Sequence, residues 1–203
     1  MKQNTWAQLF IIYTRYLIGF AFIFASIVKL QGLRFTAESG AENPINSAWH
    51  FFETMYQSGL YWKFLGFGQL MAGLLLITQR YAKLGAIMFL PIIANVFVIT
   101  ISYEFSGTPI ITGLMLFATI LLLLWDWDSL KILINQKPTY SDRKRLEHDS
   151  IWIVMGAIFF ILTIAAKFII SITVLIPLSI SFLIIGFAGL IIGYRRRKLY
   201  QIN

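Results

Sequence analysis

This sequence predicts an all-α integral membrane fold with six transmembrane helices, and three observations carry that prediction. Residues 16–28, 64–79, 84–103, 105–125, 151–166 and 168–194 form six stretches without a charged side chain. Hydrophobic residues make up 58% of the 203 and charged residues 13%, well below the roughly one quarter usual in a soluble domain. The runs are rich in Leu, Ile, Phe, Ala and Gly and lack the apolar–polar alternation of a strand. A hydrocarbon layer about 30 Å thick takes about 20 helical residues to cross, and only helices or closed barrels satisfy every backbone group inside it.

The punctuation between the runs sets each element. The first span covers about residues 9–30, is interrupted only by Arg15 and ends at Lys29 and the Gln31-Gly32 turn. Residues 31–59 are too polar to span. Within them Asn43-Pro44 reads as a cap followed by a first-turn proline, and Trp49, Phe52 and Tyr56 recur at spacings of three and four. That predicts a short interfacial helix over about residues 44–58, aromatic face toward the bilayer. The second span covers about residues 60–78 and the third 81–103, joined by a very short turn. Thr108 and Pro109 read as cap and first residue of the fourth span, which ends at Trp125. Residues 129–150 are a polar linker, with Asp149-Ser150 as a cap for the fifth span at about 151–170. The sixth, about 174–194, precedes Arg195-Arg196-Arg197-Lys198. The expected organisation is a four-helix unit over residues 1–128, a linker over 129–150 and a two-helix hairpin with a basic tail over 151–203.

Charge excludes some functions and orients the chain. A net charge of +8 suggests nucleic acid in a soluble protein, but here the basic residues sit at the ends of apolar runs. Alternating the spans places Lys2, Arg80, Lys83, Lys131, Lys137, Arg143, Lys144, Arg145 and residues 195–198 on one side, twelve in all, against Lys29, Arg34, Lys63 and Lys167 on the other. Both termini are therefore expected in the cytoplasm. The chain has no cysteine, which excludes disulfides, thiolate metal sites and thiol redox chemistry of its own. The opening residues run into the first span without a small-residue cleavage site, so that span is expected to be a retained helix.

Polar groups at membrane depth are the candidates for function, because each is costly unless paired or lining a cavity. Arg15 lies about 9 Å inside its span at 1.5 Å per residue, within reach of Asp126 and Asp128. Gln69 and Asn95 fall at similar depth in the second and third spans, where two amides can join helices or line a ligand site. Lys29, Glu104 and Asp126, with Lys63 near the first two in depth, are candidates for ion pairs. Pro91 and Pro177 are expected to kink their helices. His50 and His148 have no paired ligands around them, so no metal or haem site is expected. Gly66, Gly68, Gly73, Gly186, Gly189 and Gly193 suit close helix approach.

The segment Arg15-Tyr16-Leu17-Ile18-Gly19-Phe20 with Phe22, Phe24 and Lys29-Leu30 resembles the opening helix of DoxX-like membrane proteins. Residues 68–76, Gly-Gln-Leu-Met-Ala-Gly-Leu-Leu-Leu, followed by Arg80, are similar to that family's second helix. The resemblance covers about residues 9–126. Gln69 stands where many members carry Glu, and the helices after Ile151 are an addition. What the resemblance implies is a bacterial inner-membrane protein linked to thiosulfate:quinone oxidoreductase and other membrane redox complexes. The expectation is an accessory subunit that holds a lipophilic ligand such as a quinone among Arg15, Gln69 and Asn95. The alternative is a non-catalytic membrane scaffold holding partner proteins. No nucleophile and base, phosphate loop or metal cluster offers an autonomous reaction, and no repeat suggests a transporter.

Overall fold

The computed structural model describes residues 4–139, 145–168 and 172–202, and every element among them is helical. The order is α1 (Thr5–Leu30), α2 (Ala48–Gln57), α3 (Leu60–Ile77), α4 (Ala82–Ser102), α5 (Thr108–Trp125), α6 (Trp127–Leu130), two short 3-10 turns (Lys131–Ile134 and Leu146–His148), α7 (Ile151–Phe168) and α8 (Ile172–Ile202). Five of these, α1, α3, α4, α5 and α8, are long and apolar enough to cross a membrane; α7 is apolar over residues 151–166 and shorter.

Helix ends follow local chemistry. Asn4 caps α1, its Oδ1 accepting from the Trp6 and Ala7 amides, which starts the helix one turn earlier than the apolar pattern predicts. The interfacial helix is shorter than residues 44–58. Pro44 instead closes a turn with its carbonyl on the Ser47 amide, and Ser47 is the cap, its hydroxyl accepting from the His50 amide. Nor is Thr108 the cap of α5: Gly107 holds that position at φ +73, leaving Thr108 and Pro109 inside the first turn. Pro91 and Pro177 lie within α4 and α8 without ending either. The basic run after Gly193 continues α8 and is not a loop.

α1 is the hub. One of its stripes, Ile11, Ile18 and Phe22, packs with Ala72, Leu76, Phe89, Ile93 and Leu122 from α3, α4 and α5. Another, Leu9, Ile12, Tyr16 and Ile23, packs with Ile77, Leu146, Trp152, Met155 and Phe159. Spacings of three and four put the two stripes on adjacent faces. α1 and α3 approach closely because Gly19 and Gly73 face each other: a Cβ on Gly73 would stand 2.7 Å from the Gly19 carbonyl oxygen. α4 lies on α3 through Gly85, and α5 lies on α4, with Thr100 and Thr112 hydroxyls 2.9 Å apart across that seam. α7 and α8 pack outside this four-helix unit, against α1 and α3. Gly156 lets α7 touch the end of α3, and Gly193 admits Leu9 and Trp152 beside α8.

Candidate functional site

Four charged groups meet at the end of the bundle that holds the N-terminus. Arg15, 2% exposed on α1, donates from Nη2 to Asp126 Oδ2 at 2.8 Å. Its Nη1 donates to Gln79 Oε1 at 3.2 Å, and Gln79 Nε2 donates to the Ile12 carbonyl at 3.2 Å. Gln79 is a non-glycine residue at φ +58, and these two hydrogen bonds oppose the cost of that left-handed conformation. Asp126 is delivered by the end of α5, and Arg145 Nη1 approaches its other oxygen at 3.4 Å. Glu147, 2% exposed, accepts from Arg145 Nη1 at 3.1 Å and from Trp125 Nε1 at 3.0 Å, with Arg15 Nη2 4.0 Å away. Two guanidiniums therefore face two carboxylates, and the cluster is neutral. Pairing of this kind offsets the cost of burying each charge.

The same cluster reaches the hairpin. The Leu146 amide donates to Gln8 Oε1 at 2.8 Å, Trp152 Nε1 donates to the Leu146 carbonyl at 2.8 Å, and the Tyr16 hydroxyl donates to the Trp152 carbonyl. Tyr16 also lines a groove of about 540 Å³ between α1, α7 and α8. Its walls are almost wholly hydrocarbon, with the rings of Tyr13, Tyr16, Phe20, Phe159, Phe182 and Phe187 turned into it. Phe159 and Phe182 stack at 5.5 Å with 5° between planes, and Tyr16 and Phe20 meet Phe159 edge-on. The Tyr13 hydroxyl donates to the Gly186 carbonyl at 2.5 Å. Both tyrosine protons are thus taken by backbone carbonyls. A second apolar groove, about 500 Å³, lies between α1 and α5.

At the opposite end the polar residues form a cap. Arg34 grips Glu53 with two bonds, Nε at 2.8 Å and Nη2 at 2.9 Å, while Gln57 and the Gly40 amide also donate to that carboxylate. The Arg34 guanidinium holds the Glu53 carboxyl well below its usual range, at about 2. Lys29 is buried but takes no acid partner among the described residues: its Nζ donates to the Ala25 carbonyl at 3.0 Å and sits 4.8 and 4.9 Å from the Phe35 and Trp62 rings.

The residues singled out in the sequence do not converge. Arg15 and Asp126 pair with each other. Gln69 is buried in α3 with Oε1 unpartnered, whereas Asn95 is exposed on the outer face of α4. The buried stripe of α4 runs through Ala82, Gly85, Ala86, Phe89 and Ile93, and Asn95 is two residues past Ile93, about 200° around the helix at 100° per residue. The expected shared amide site is therefore absent. Lys29 and Glu104 do not form an ion pair either; Glu104 lies exposed in a turn at φ +47. The reading by depth missed Gln79, Trp125, Arg145 and Glu147. Glu147 stands out in the sequence only as an acid beside the basic run at 143–145, just ahead of an apolar span. Among the described residues no group of three or more His, Cys, Asp or Glu side chains is arranged to hold a metal ion.

Comparison with known proteins adds one relative. The uncharacterized protein YwoB of Bacillus subtilis (strain 168) is 38% identical over 85 residues, which is 42% of this chain and 53% of that protein. The chain thus spans about half the length of the relative it matches. No protein-family model matches the chain, and no solved structure matches it.

Proposed function

We propose that this chain is a six-span, DoxX-like protein of a bacterial inner membrane that holds a lipophilic molecule of the quinone class and serves as an accessory subunit of a membrane redox complex. The observation that carries the ligand part is the aromatic groove between α1, α7 and α8. Its volume lies in the range of small-molecule sites, and its rings offer flat faces and edges to a flat ring with a hydrocarbon tail. Tyr13 and Tyr16, their hydroxyls tied to backbone carbonyls, would hold their rings fixed against it. The redox association rests on the resemblance of residues 9–126. At 1.5 Å per residue the 18 residues of α7 measure about 27 Å, which supports counting it as a span.

Two experiments test this reading. Organic extraction and mass spectrometry of protein purified in mild detergent should find a quinone retained near one per chain, and Gly186→Leu should remove it. Position 186 faces the groove, and a Cβ there meets only Tyr13 Cε1, at 4.0 Å, so the variant should fill the groove without unfolding the protein. A wild-type protein that carries no quinone rejects the ligand proposal. Reporter fusions after Gly40 and after Pro138 should report opposite sides of the membrane, and the same side for both rejects the topology.

The scaffold reading has an observation of its own. Every charged group of the buried cluster is satisfied within the chain, while the opposite cap exposes Phe35, Ile45 and Trp49. A stoichiometric partner protein co-purifying with an empty groove would favour it.

A further inference from the structure

Glu147 is an unusual occupant of the cluster it completes. The four-helix unit brings Arg15 and Trp125 to one buried point, yet the carboxylate that satisfies the Trp125 indole comes from the linker, 22 residues further along the chain. Leu146, fully buried, plugs in beside it and is held by Gln8. The next residue, His148, is already exposed. This three-residue turn is therefore a plug with one charged tooth. Behind it, a continuous series of hydrogen bonds runs from the Leu146 carbonyl to Trp152 and from the Trp152 carbonyl to Tyr16, a wall of the aromatic groove.

Charge arithmetic describes what the tooth fills. With Glu147 present, Arg15 and Arg145 face Asp126 and Glu147, a neutral set. Without it, two guanidiniums face one carboxylate, and the Trp125 N–H loses its acceptor. A buried site with one excess positive charge and a free indole donor is complementary to a small carboxylate. We propose that Arg15 and Trp125, with Arg145 beside them, form a carboxylate-binding site that the chain fills with its own Glu147, so that residues 145–148 act as a strap locking the α7–α8 hairpin onto the four-helix unit. Release of the strap frees the first turn of α7, whose Trp152 carbonyl holds the groove residue Tyr16. The strap stands on its own contacts, whatever the groove holds.

The test is chemical rescue in purified, detergent-solubilised full-length protein. Glu147→Ala should lower the unfolding temperature by on the order of 10 °C and raise protease cleavage of the linker. Acetate or formate should restore at least half of that shift in a saturable way and suppress the cleavage. Chloride at equal ionic strength should not, and none of these anions should shift the wild type. A variant as stable and as protease-resistant as wild type overturns the strap. A destabilised variant that no carboxylate rescues, or that chloride rescues equally, overturns the binding site. Should Glu147→Ala fail to insert, Glu147→Gln keeps the side-chain shape and an acceptor for Trp125 while losing the charge. Its linker should be cleaved several-fold faster than wild type, and an unchanged rate overturns the proposal. Because the readouts are anion dependence and linker cleavage, they are separable from quinone retention.

Discussion

The two ends of this protein each hold an arginine gripped by a carboxylate, and the two pairs do different work. At the N-terminal end Arg15 and Asp126 are separated by 111 residues and are 3% and 4% exposed at the side chain. At the opposite end Arg34 and Glu53 are 19 residues apart, and the Arg34 side chain is 41% exposed. The first pair ties α1 to α5 and, through Arg145 and Glu147, to the hairpin. The second closes a loop on itself, with Tyr56 under the guanidinium at 4.8 Å. Contact distance is the same, 2.8 Å in both, so distance does not separate them. The carboxylates are equally buried, so what differs is the arginine and the chain separation: Arg34 is half-exposed and can turn to water, whereas Arg15 is enclosed and cannot.

The sharpest way to break this comparison is Asp126→Ala. It leaves Arg15 buried with its main counter-ion gone and should cost about 3–5 kcal/mol, read as thermal unfolding in detergent. The double variant Arg15→Leu with Asp126→Leu should cost markedly less than the single one, because replacing both charges by apolar groups removes the stranded ion. Equal losses would mean that the pair is a surface-like contact.

Next in size is the α1–α3 seam that both ends depend on. Gly73→Leu places a side chain where the Gly19 carbonyl already stands and should cost about 1–3 kcal/mol or more. Gly59, in open space at a turn but at φ +59 and ψ −75, tests a different cost: Gly59→Ala adds no clash and strains the backbone alone, by about 1–3 kcal/mol.

The cap should respond to acid without unfolding the bundle. Glu53 has a folded pKa near 2 against an ordinary value of 4.5. The carboxylate's contribution is therefore complete above about pH 4.5 and is lost as the pH falls from there through about 2. Hydrogen exchange of residues 34–57 should rise over that window while exchange in α1 and α3 stays slow. Glu53→Gln should show the loosened cap at neutral pH, with no further change on acidification. The smallest effect is expected at Asn95, where Leu should change stability by about 0.5 kcal/mol or less.

Asn95 also marks the boundary of what a sequence can say. Its depth in the bilayer follows from counting residues, and Gln69 lies at the matching depth. Depth says nothing about azimuth, however, and α4 turns Asn95 outward because Gly85, Ala86 and Phe89 claim the packed face. The Arg15–Asp126 pair was legible because both groups lie near one end of their spans and an opposite charge offsets the cost of burying either. Glu147 was not legible, since nothing in a polar linker separates an acid that folds back into the bundle from one that stays in solvent.

The sequence alone determined that the chain is a bundle of apolar helices, where most of them begin and end, and which charges need partners, because hydrocarbon length, capping and the cost of burying charge act residue by residue. Only the tertiary structure decided that α1 is the hub between two cores, that Glu147 completes the buried cluster and that an aromatic groove opens between α1 and the hairpin. Those features depend on which faces of distant helices meet. That is settled by packing at glycines such as Gly19, Gly73 and Gly156, where a single added carbon would hold the helices apart.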